Sequence, residues 1–176
     1  MKKILAFGGS NSKRSINKQL ATYASSLVEN ANISVLDLND FELPIFGVDL
    51  ESEIGHPDNA HNFLSLINES NGIIVSLAEH NGAYTAVFKN LLDWMSRIEG
   101  KTFYGKPMLL MATSTGRRGG QSVLEMAKSR FPRHDANIIA EYSLPEFKLN
   151  FSDGKIINPE RDKELRDKVK QFSEFL

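Results

Sequence analysis

Short apolar or alternating runs along the chain are separated by longer segments in which apolar residues recur every three or four positions. The short runs are typical of buried β-strands, and the longer spacing is typical of amphipathic helices. The predicted strands are residues 3–7, 33–38, 72–77, 107–112 and 136–140. The predicted helices are residues 16–29, 59–68, 86–98, 122–131 and 160–175.

Five strands that alternate with five helices predict an α/β protein, a parallel sheet with helices on both faces. Right-handed crossovers bring the loops after the first, third and fourth strands to one edge of that sheet. Ligands of such sheets bind at this edge, at the carboxyl ends of the strands. The length predicts a single domain over residues 1–176. Residues 41–56 contain Pro44, Gly47 and Gly55, and we interpret them as a connecting loop rather than a partner surface.

The composition excludes several classes of protein. The absence of cysteine excludes disulfides, thiolate catalysis, zinc–thiolate sites and iron–sulfur clusters. The formal net charge of −1 lacks the basic field of a nucleic-acid binder. No apolar run approaches the roughly 18 residues that cross a bilayer, and the first run is too short for a signal peptide. The expectation is a cytoplasmic protein with neither nucleic acid nor membrane as a partner.

Residues 8–17, GGSNSKRSIN, follow the first strand and open the first helix. A P-loop requires a second glycine where this chain has Lys13 and Arg14, and a dinucleotide fingerprint requires a glycine where it has Ser10. Hydroxyl side chains, loop amides and a helix N-terminus are donors suited to the terminal phosphate of a mononucleotide. The alternative is that Ser15 only caps the helix and the remaining residues form a solvated turn.

Two further loops reach the same edge. LAEHNG at residues 77–82 precedes a helix with FKNLLDW at residues 88–94, and STGRRGG at residues 114–120 follows the strand that GKP begins at residues 105–107. With the first loop, these motifs resemble the NADPH-dependent FMN reductase family of flavodoxin-like proteins. That family carries G-S-x-R-x-x-S-x-N, T-P-E-Y-N with L-K-N-x-x-D-W, and G-K-P with S-x-G-x-x-G-G. The resemblance covers residues 1 to about 140.

The resemblance implies a flavodoxin-like three-layer sandwich with strand order 2-1-3-4-5, and non-covalent FMN across the three loops. The phosphate would lie against the first loop, at Ser10, Ser12, Ser15, Ile16 and Asn17. The isoalloxazine would lie along the second loop, at Ala78, Glu79, His80, Asn81 and Gly82. Its other side would meet the third loop, at Ser114, Thr115, Gly116, Gly119 and Gly120, where glycines permit close approach of the backbone.

The chain departs from the family pattern at three positions. Ser12 stands where the family has arginine, so Lys13 or Arg14 is expected to supply the missing charge. Ala78 replaces a proline and His80 replaces a tyrosine. These differences predict changed contacts with the flavin ring rather than a changed phosphate site.

The implied reaction is a pair of half-reactions. NADPH or NADH transfers a hydride to FMN, and a small-molecule acceptor such as a quinone, an azo compound or free flavin then removes the electrons. The cofactor carries the chemistry, which agrees with the absence of a nucleophile or acid–base motif. His80 is either a proton donor to the acceptor or, as we favour, a stacking residue. Arg117 and Arg118 either attract the phosphate of NADPH or are solvated loop charges.

Several residues carry weaker predictions. Tyr84 and Tyr104 border the substrate pocket, or else belong to the core or to an interface. His56, His61 and His134 are scattered, and no metal site is predicted. Asp93 and Trp94 occupy positions that in the family lie near a subunit interface. The resemblance therefore implies a homodimer or homotetramer, with residues 79–82 near a two-fold contact.

Two alternatives remain open at this point. A flavodoxin-type electron carrier would bind FMN without oxidising NAD(P)H, but such carriers are typically acidic, whereas this chain is nearly neutral. A flavin-free binding or regulatory module is the second alternative. The departures from the family pattern at Ser12, Ala78 and His80 are compatible with it.

Overall fold

The computed structural model describes residues 1–176. Its strands are β1 Lys2–Gly9, β2 Ala31–Leu36, β3 Gly72–Leu77, β4 Glu79–His80, β5 Ala83–Tyr84, β6 Pro107–Thr113, β7 Asn137–Leu144, β8 Phe151–Ser152 and β9 Lys155–Ile156. Its α-helices are α1 Ile16–Ser26, α2 Val48–Ile54, α3 Asp58–Glu69, α4 Ala86–Ile98, α5 Gln121–Arg130, α6 Phe147–Asn150 and α7 Pro159–Ser173. Short 3₁₀ helices follow at Leu38–Asp40 and Phe131–His134.

The main sheet has five parallel strands in the order β2-β1-β3-β6-β7. This confirms the predicted flavodoxin-like order, because β6 and β7 are the fourth and fifth strands of the sequence prediction. Two short antiparallel hairpins, β4–β5 and β8–β9, lie outside the main sheet. None of the helices is long and apolar enough to cross a membrane.

The central strands are apolar on both faces because each face is covered by helices. Leu5 and Phe7 of β1 belong to one buried cluster with side chains of α3, α4 and α5. Ile4 and Ala6 belong to a second cluster with α1 and α7. The period-two alternation of β1 therefore divides the core into two layers, as expected for a three-layer sandwich.

A glycine at the end of β1 sets the position of α1. A Cβ atom at Gly8 would lie 2.4 Å from the backbone nitrogen of Lys18 and 2.8 Å from its Cα. Only glycine allows this approach of helix to strand. The N-terminus of α1 is thereby held directly beside the carboxyl end of β1.

The structure corrects the sequence interpretation in three places. Residues 41–56 are not all loop, because α2 forms within them between Gly47 and Gly55, with Asp49 and Glu51 in its first turn. Residues 79–84 form the β4–β5 hairpin instead of an open loop. The last strand of the sheet continues to Leu144, four residues beyond the predicted end.

Candidate functional site

A cleft of about 290 Å³ lies at the carboxyl ends of β1, β3 and β6. It is lined mainly by residues that the sequence predicted for the cofactor. These are Ser10, Ser12, Ser15, Ile16, Asn17, Ala78, Glu79, His80, Ser114 and Thr115, together with Arg14 and Thr113. A larger cavity of about 440 Å³ lies between α4 and the segment after β2, but its lining contains no cation and does not suit a phosphate.

The hydroxyl groups of the first loop are organised by backbone amides. The Oγ of Ser10 accepts from the amide of Ser12 at 3.1 Å, and the Oγ of Ser12 accepts from the amide of Arg14 at 3.3 Å. The Oγ of Ser15 caps α1 by accepting from the amide of Lys18 at 3.1 Å. Each hydroxyl hydrogen stays available to donate. The capping role proposed as the alternative for Ser15 is thus real, and it is compatible with donation into the cleft.

The N-terminus of α1 adds backbone donors to the same loop. The amides of Ile16 and Asn17 lie in the first turn and have no intrahelical acceptor. Arg14 lines the cleft and makes no salt bridge. Lys13 is exposed and lies outside the lining. Of the two basic residues considered from the sequence, Arg14 is the one that borders the cleft.

The side chain of Asn17 is engaged with the sheet. Its Oδ1 accepts from Ser76 Oγ at 2.7 Å and from the amide of Thr113 at 3.0 Å, and its Nδ2 donates to the carbonyl of Thr113 at 3.2 Å. Asn17 and Ser76 are fully buried. The carboxamide of Asn17 therefore joins α1 to β3 and β6, and its backbone amide is the group left for the predicted phosphate contact.

The second loop is held from two sides. The Oγ1 of Thr85 donates to the carbonyl of Gly9 at 2.8 Å and caps α4 by accepting from Phe88. The carboxylate of Glu79 accepts from the amide of Val123 at 3.0 Å. This bond caps α5, whose own N-cap residue has no side chain to do so. The carboxylate of Glu79 therefore binds the N-terminus of α5, and it is not a free acceptor in the cleft.

Two predicted residues of the second loop lie at the tip of the β4–β5 hairpin. Asn81 and Gly82 have φ values of 52° and 74°, as a two-residue type I′ turn requires. Both are exposed and outside the cleft lining, whereas His80 lines the cleft and is exposed. The Asn-Gly pair is itself a hairpin signal that the sequence offered.

One part of the third loop lines the cleft, and another part packs against β7. Ser114 and Thr115 border the cleft, and Gly116, Gly119 and Gly120 do not. Gly119 has a φ of 58°, and a Cβ there would lie 2.5 Å from the Oγ of Ser143. That Oγ donates to the carbonyl of Gly119 at 2.9 Å. This glycine serves the close packing of the third loop on the end of β7.

The remaining candidate residues lie away from the cleft lining. Tyr84 packs against Phe88 and Phe131, and burial raises the pKa of its hydroxyl to about 12. Its hydroxyl oxygen is the one buried side-chain polar atom without a hydrogen-bond partner. Burial also raises the pKa of Tyr104. No three His, Cys, Asp or Glu side chains are grouped to hold a metal.

The chemistry of the cleft suits a phosphate ester. Three serine hydroxyls, two helix amides and Arg14 supply donors, and the one carboxylate in the lining, that of Glu79, already accepts from Val123. Sequence reasoning left Thr113 outside the site because the strand was predicted to end one residue earlier. It named Arg14 only as a substitute charge for the family arginine.

The fold is flavodoxin-like, and a cleft rich in hydrogen-bond donors lies at the carboxyl ends of its strands. The family model described as NADPH-dependent FMN reductase matches residues 2–148, so the chain belongs to that family. FMN is accordingly its cofactor and NAD(P)H its electron donor, and the protein is an oxidoreductase.

Individual relatives agree with this assignment. The chain is 25% identical over 159 residues to a quinone reductase of Escherichia coli (strain K12), covering 86% of this chain and 80% of the relative. It is 34% identical over 119 residues to a 2-hydroxy-1,4-benzoquinone reductase of Burkholderia sp, covering 66% and 63%. The solved structure of FerB, a flavoenzyme NAD(P)H:(acceptor) oxidoreductase from Paracoccus denitrificans, shares the fold, with a TM-score of 0.78, 24% identity and coverage of 99% and 97%.

Proposed function

We propose that the protein uses FMN, held by its phosphate in the first loop, to reduce a quinone-class acceptor with NAD(P)H. The observation that carries the proposal is the convergence of unpaired donors on one cleft: the hydroxyls of Ser10 and Ser12, the amides of Ile16 and Asn17, and the guanidinium of Arg14. When bound there, FMN supplies a group that accepts a hydride and releases electrons to a second substrate.

In this proposal, the residues of the chain bind the cofactor and hold its loops in position. The first loop neutralises the phosphate with Arg14 and the N-terminus of α1. Asn17 keeps that helix in register with β3 and β6 through Ser76 and Thr113. Glu79 holds the second loop against the first turn of α5, the helix that follows the third loop.

The chain's own contribution to electron transfer is electrostatic. The cleft lining contains no nucleophile with an adjacent base, and His80 is its one histidine. With FMN bound, the backbone amides and hydroxyls of the lining would stabilise negative charge on it without proton transfer. We favour stacking over acid–base work for His80, because it is exposed and has no hydrogen-bonded partner to fix a tautomer.

A quinone is the proposed acceptor class because two relatives are named as quinone or benzoquinone reductases. An aromatic acceptor also matches a shallow cleft between two loops, since it can stack without dedicated polar contacts. The proposal extends to residues 1–176 acting as one unit and to a cytoplasmic location, where both reduced dinucleotides are available.

An absorbance experiment tests this function. The purified protein is loaded with FMN, mixed anaerobically with NADPH and then with menadione. The expected result is bleaching of the flavin band followed by its recovery. Bound flavin that only light reduces would support an electron carrier instead, and failure to take up FMN would support a flavin-free module.

We also propose a homodimer, or a homotetramer built from it, that uses the face formed by residues 41–54. Trp94 lies fully buried beneath this face and donates to the carbonyl of Pro44 at 2.7 Å. Two apolar side chains of this face point to solvent, since Ile45 and Val48 have exposed fractions of 86% and 66%. Adjacent exposed apolar side chains are typical of a protein interface, which favours the partner surface over the connector.

Sedimentation tests the assembly. The wild type is expected to sediment as a dimer or tetramer at micromolar concentration, and Ile45→Glu is expected to release monomer. Ile157→Glu, at an exposed isoleucine away from this face, is the matched control. A wild-type monomer would exclude the assembly, including a two-fold contact near residues 79–82.

A further inference from the structure

A second concave surface, which we call the basic groove, lies on the far side of the third loop. Its volume is about 410 Å³. Arg117 and Arg118 border it from the third loop, and Arg161 and Lys168 border it from α7. Residues 141–143 of the edge strand β7 form its floor, and Glu141 and Glu164 are the only carboxylates in its lining.

The positive charge of the basic groove is only partly compensated. Glu164 pairs with Arg161 at 3.3 Å, and Glu141 pairs at 2.7 Å with Lys128, which lies outside the groove. Lys168 is half-buried, yet it makes no salt bridge. An ammonium group without an ion pair is free to bind an anion.

The two arginines of the third loop are also available. Arg118 hydrogen-bonds only to the hydroxyl of Ser122, at 3.2 Å. Arg117 approaches Glu146 at 3.8 Å with a side chain that is 92% exposed, which makes a weak pair. Guanidinium groups bind phosphate oxygens in a bidentate manner. The chemistry of the groove is therefore that of a phosphate site.

The walls of the basic groove are joined to one another by hydrogen bonds within the chain. The Oγ of Ser143 donates to the carbonyl of Gly119, and the hydroxyl of buried Tyr142 donates to the carbonyl of Arg161 at 3.0 Å. The amide of Glu146 donates to the carbonyl of Gly116 at 2.9 Å. These bonds tie the third loop and the start of α7 to β7, so little ordering is needed on binding.

One loop joins the groove to the cleft. Ser114 and Thr115 line the cleft, while Arg117 and Arg118 line the groove. Three residues of extended chain, from Thr115 to Arg118, span at most about 11 Å. An extended dinucleotide can therefore place its nicotinamide in the cleft and its adenosine half beyond the loop.

We infer that the basic groove binds the phosphate groups of the adenosine half of NADPH, the 2′-phosphate among them, and that the protein consequently prefers NADPH to NADH. This inference rests on the proposed function. A small anion is the matching ligand because the groove is short, contains two carboxylates and belongs to a chain of formal net charge −1. A polyanion would need a continuous basic surface.

Calorimetry on the FMN-loaded protein tests the groove directly, with adenosine 2′,5′-bisphosphate and adenosine 5′-monophosphate as ligands. The bisphosphate is expected to bind more tightly. Lys168→Gln and Arg117→Gln are each expected to raise its dissociation constant about tenfold, as for the loss of one charge-assisted phosphate contact. Lys170→Gln, an exposed lysine on the same helix outside the groove, is the control and is expected to bind as the wild type does.

Kinetics separates this inference from the proposed function. In Lys168→Gln the KM for NADPH is expected to rise relative to the KM for NADH. Equal binding of the two adenosine phosphates, or variants with unchanged affinity for the bisphosphate, would overturn the inference. If flavin were reduced by NADPH and NADH alike in every variant, only the groove assignment would fail. If neither dinucleotide reduced the flavin, the proposed function itself would fail.

Discussion

The carboxylate of Glu79 and the backbone amide of Val123 are joined by a hydrogen bond of 3.0 Å between two segments 44 residues apart. Glu79 begins the β4–β5 hairpin, and Val123 lies in the first turn of α5. A negative charge at this point also meets the positive end of the helix dipole. The two loops on either side of the cleft are thus coupled through one side chain.

We predict that Glu79→Ala destabilises the protein by about 1 kcal/mol, the usual cost of a lost helix cap. The dissociation constant for FMN is expected to rise as well, because the second loop loses its anchor. Urea unfolding and flavin fluorescence titration measure the two effects. Glu79→Gln is the control, since its amide oxygen still accepts from Val123 and most of the stability is retained. Equal stability of all three proteins would show that the contact is unimportant.

Asn17→Ala is expected to lower the free energy of unfolding more than Glu79→Ala does. It leaves the hydroxyl of Ser76 and the amide of Thr113 buried without their partner, at about 1–3 kcal/mol for each unsatisfied group. Ser76→Ala removes one donor and leaves Asn17 two contacts to Thr113, so a loss of about 1 kcal/mol is expected. Chemical denaturation of the apoprotein gives both values. A smaller loss for Asn17→Ala than for Ser76→Ala would contradict the role of Asn17 as a link between strands.

The charge opposite the phosphate is predicted to come from Arg14. Arg14→Ala is expected to weaken FMN binding about tenfold, the value of one charge-assisted hydrogen bond. Lys13→Ala, at the adjacent residue outside the cleft, is expected to bind FMN nearly as the wild type does. Riboflavin, which lacks the phosphate, is the matched ligand, and its affinity should be the same in both variants. A larger effect of Lys13→Ala than of Arg14→Ala would reverse the assignment.

Tyr84 is predicted to lower stability at alkaline pH. Its pKa is raised by burial from the ordinary value of 10.0 to about 12, so between these values the unfolded chain releases a proton that the folded protein retains. Unfolding is then favoured as the pH rises through this window. Tyr84→Phe removes the contribution, and it is expected to lose less stability than the wild type between pH 10 and 12. Thermal melts across this range measure the difference.

Near neutral pH the same variant should be at least as stable as the wild type, because it removes a buried hydroxyl without a partner. Tyr104→Phe serves as a comparison. The pKa of Tyr104 is also raised by burial, but its hydroxyl is not among the unsatisfied buried atoms. A strong loss of stability in Tyr84→Phe at neutral pH would indicate that the hydroxyl has a structural partner.

The sheet was predictable from the sequence because its central strands are buried on both faces and so are continuously apolar. The run at Gly72–Leu77 shows this most clearly. The end of β7 escaped prediction because Glu141 and Ser143 interrupt the apolar pattern at an edge strand. Their side chains are only half-buried. Ser143 hydrogen-bonds to the third loop and lines the basic groove. Because the end of this strand was not predicted, that part of the groove was not predicted either.

The composition of the first loop allowed a prediction of hydrogen-bond donors, but not of their individual contacts. Small hydroxyl residues before a helix indicate donors, but sequence does not reveal which donors are already engaged. The carboxamide of Asn17 and the carboxylate of Glu79 are both committed to neighbouring elements. Such commitments depend on contacts between residues far apart in the chain, which local patterns do not encode. The Asn81–Gly82 turn is the opposite case, since its signal was local and was overlooked.

The bond from Thr85 to Gly9 and the bonds within the first loop are all made between atoms of the chain itself. A receptor whose loops are already ordered gives up little conformational freedom when it binds. We expect added FMN to raise the melting temperature gradually with its concentration, by mass action. In a cell, the fraction of active molecules would then follow the supply of free flavin, because the binding loops are anchored by bonds within the chain.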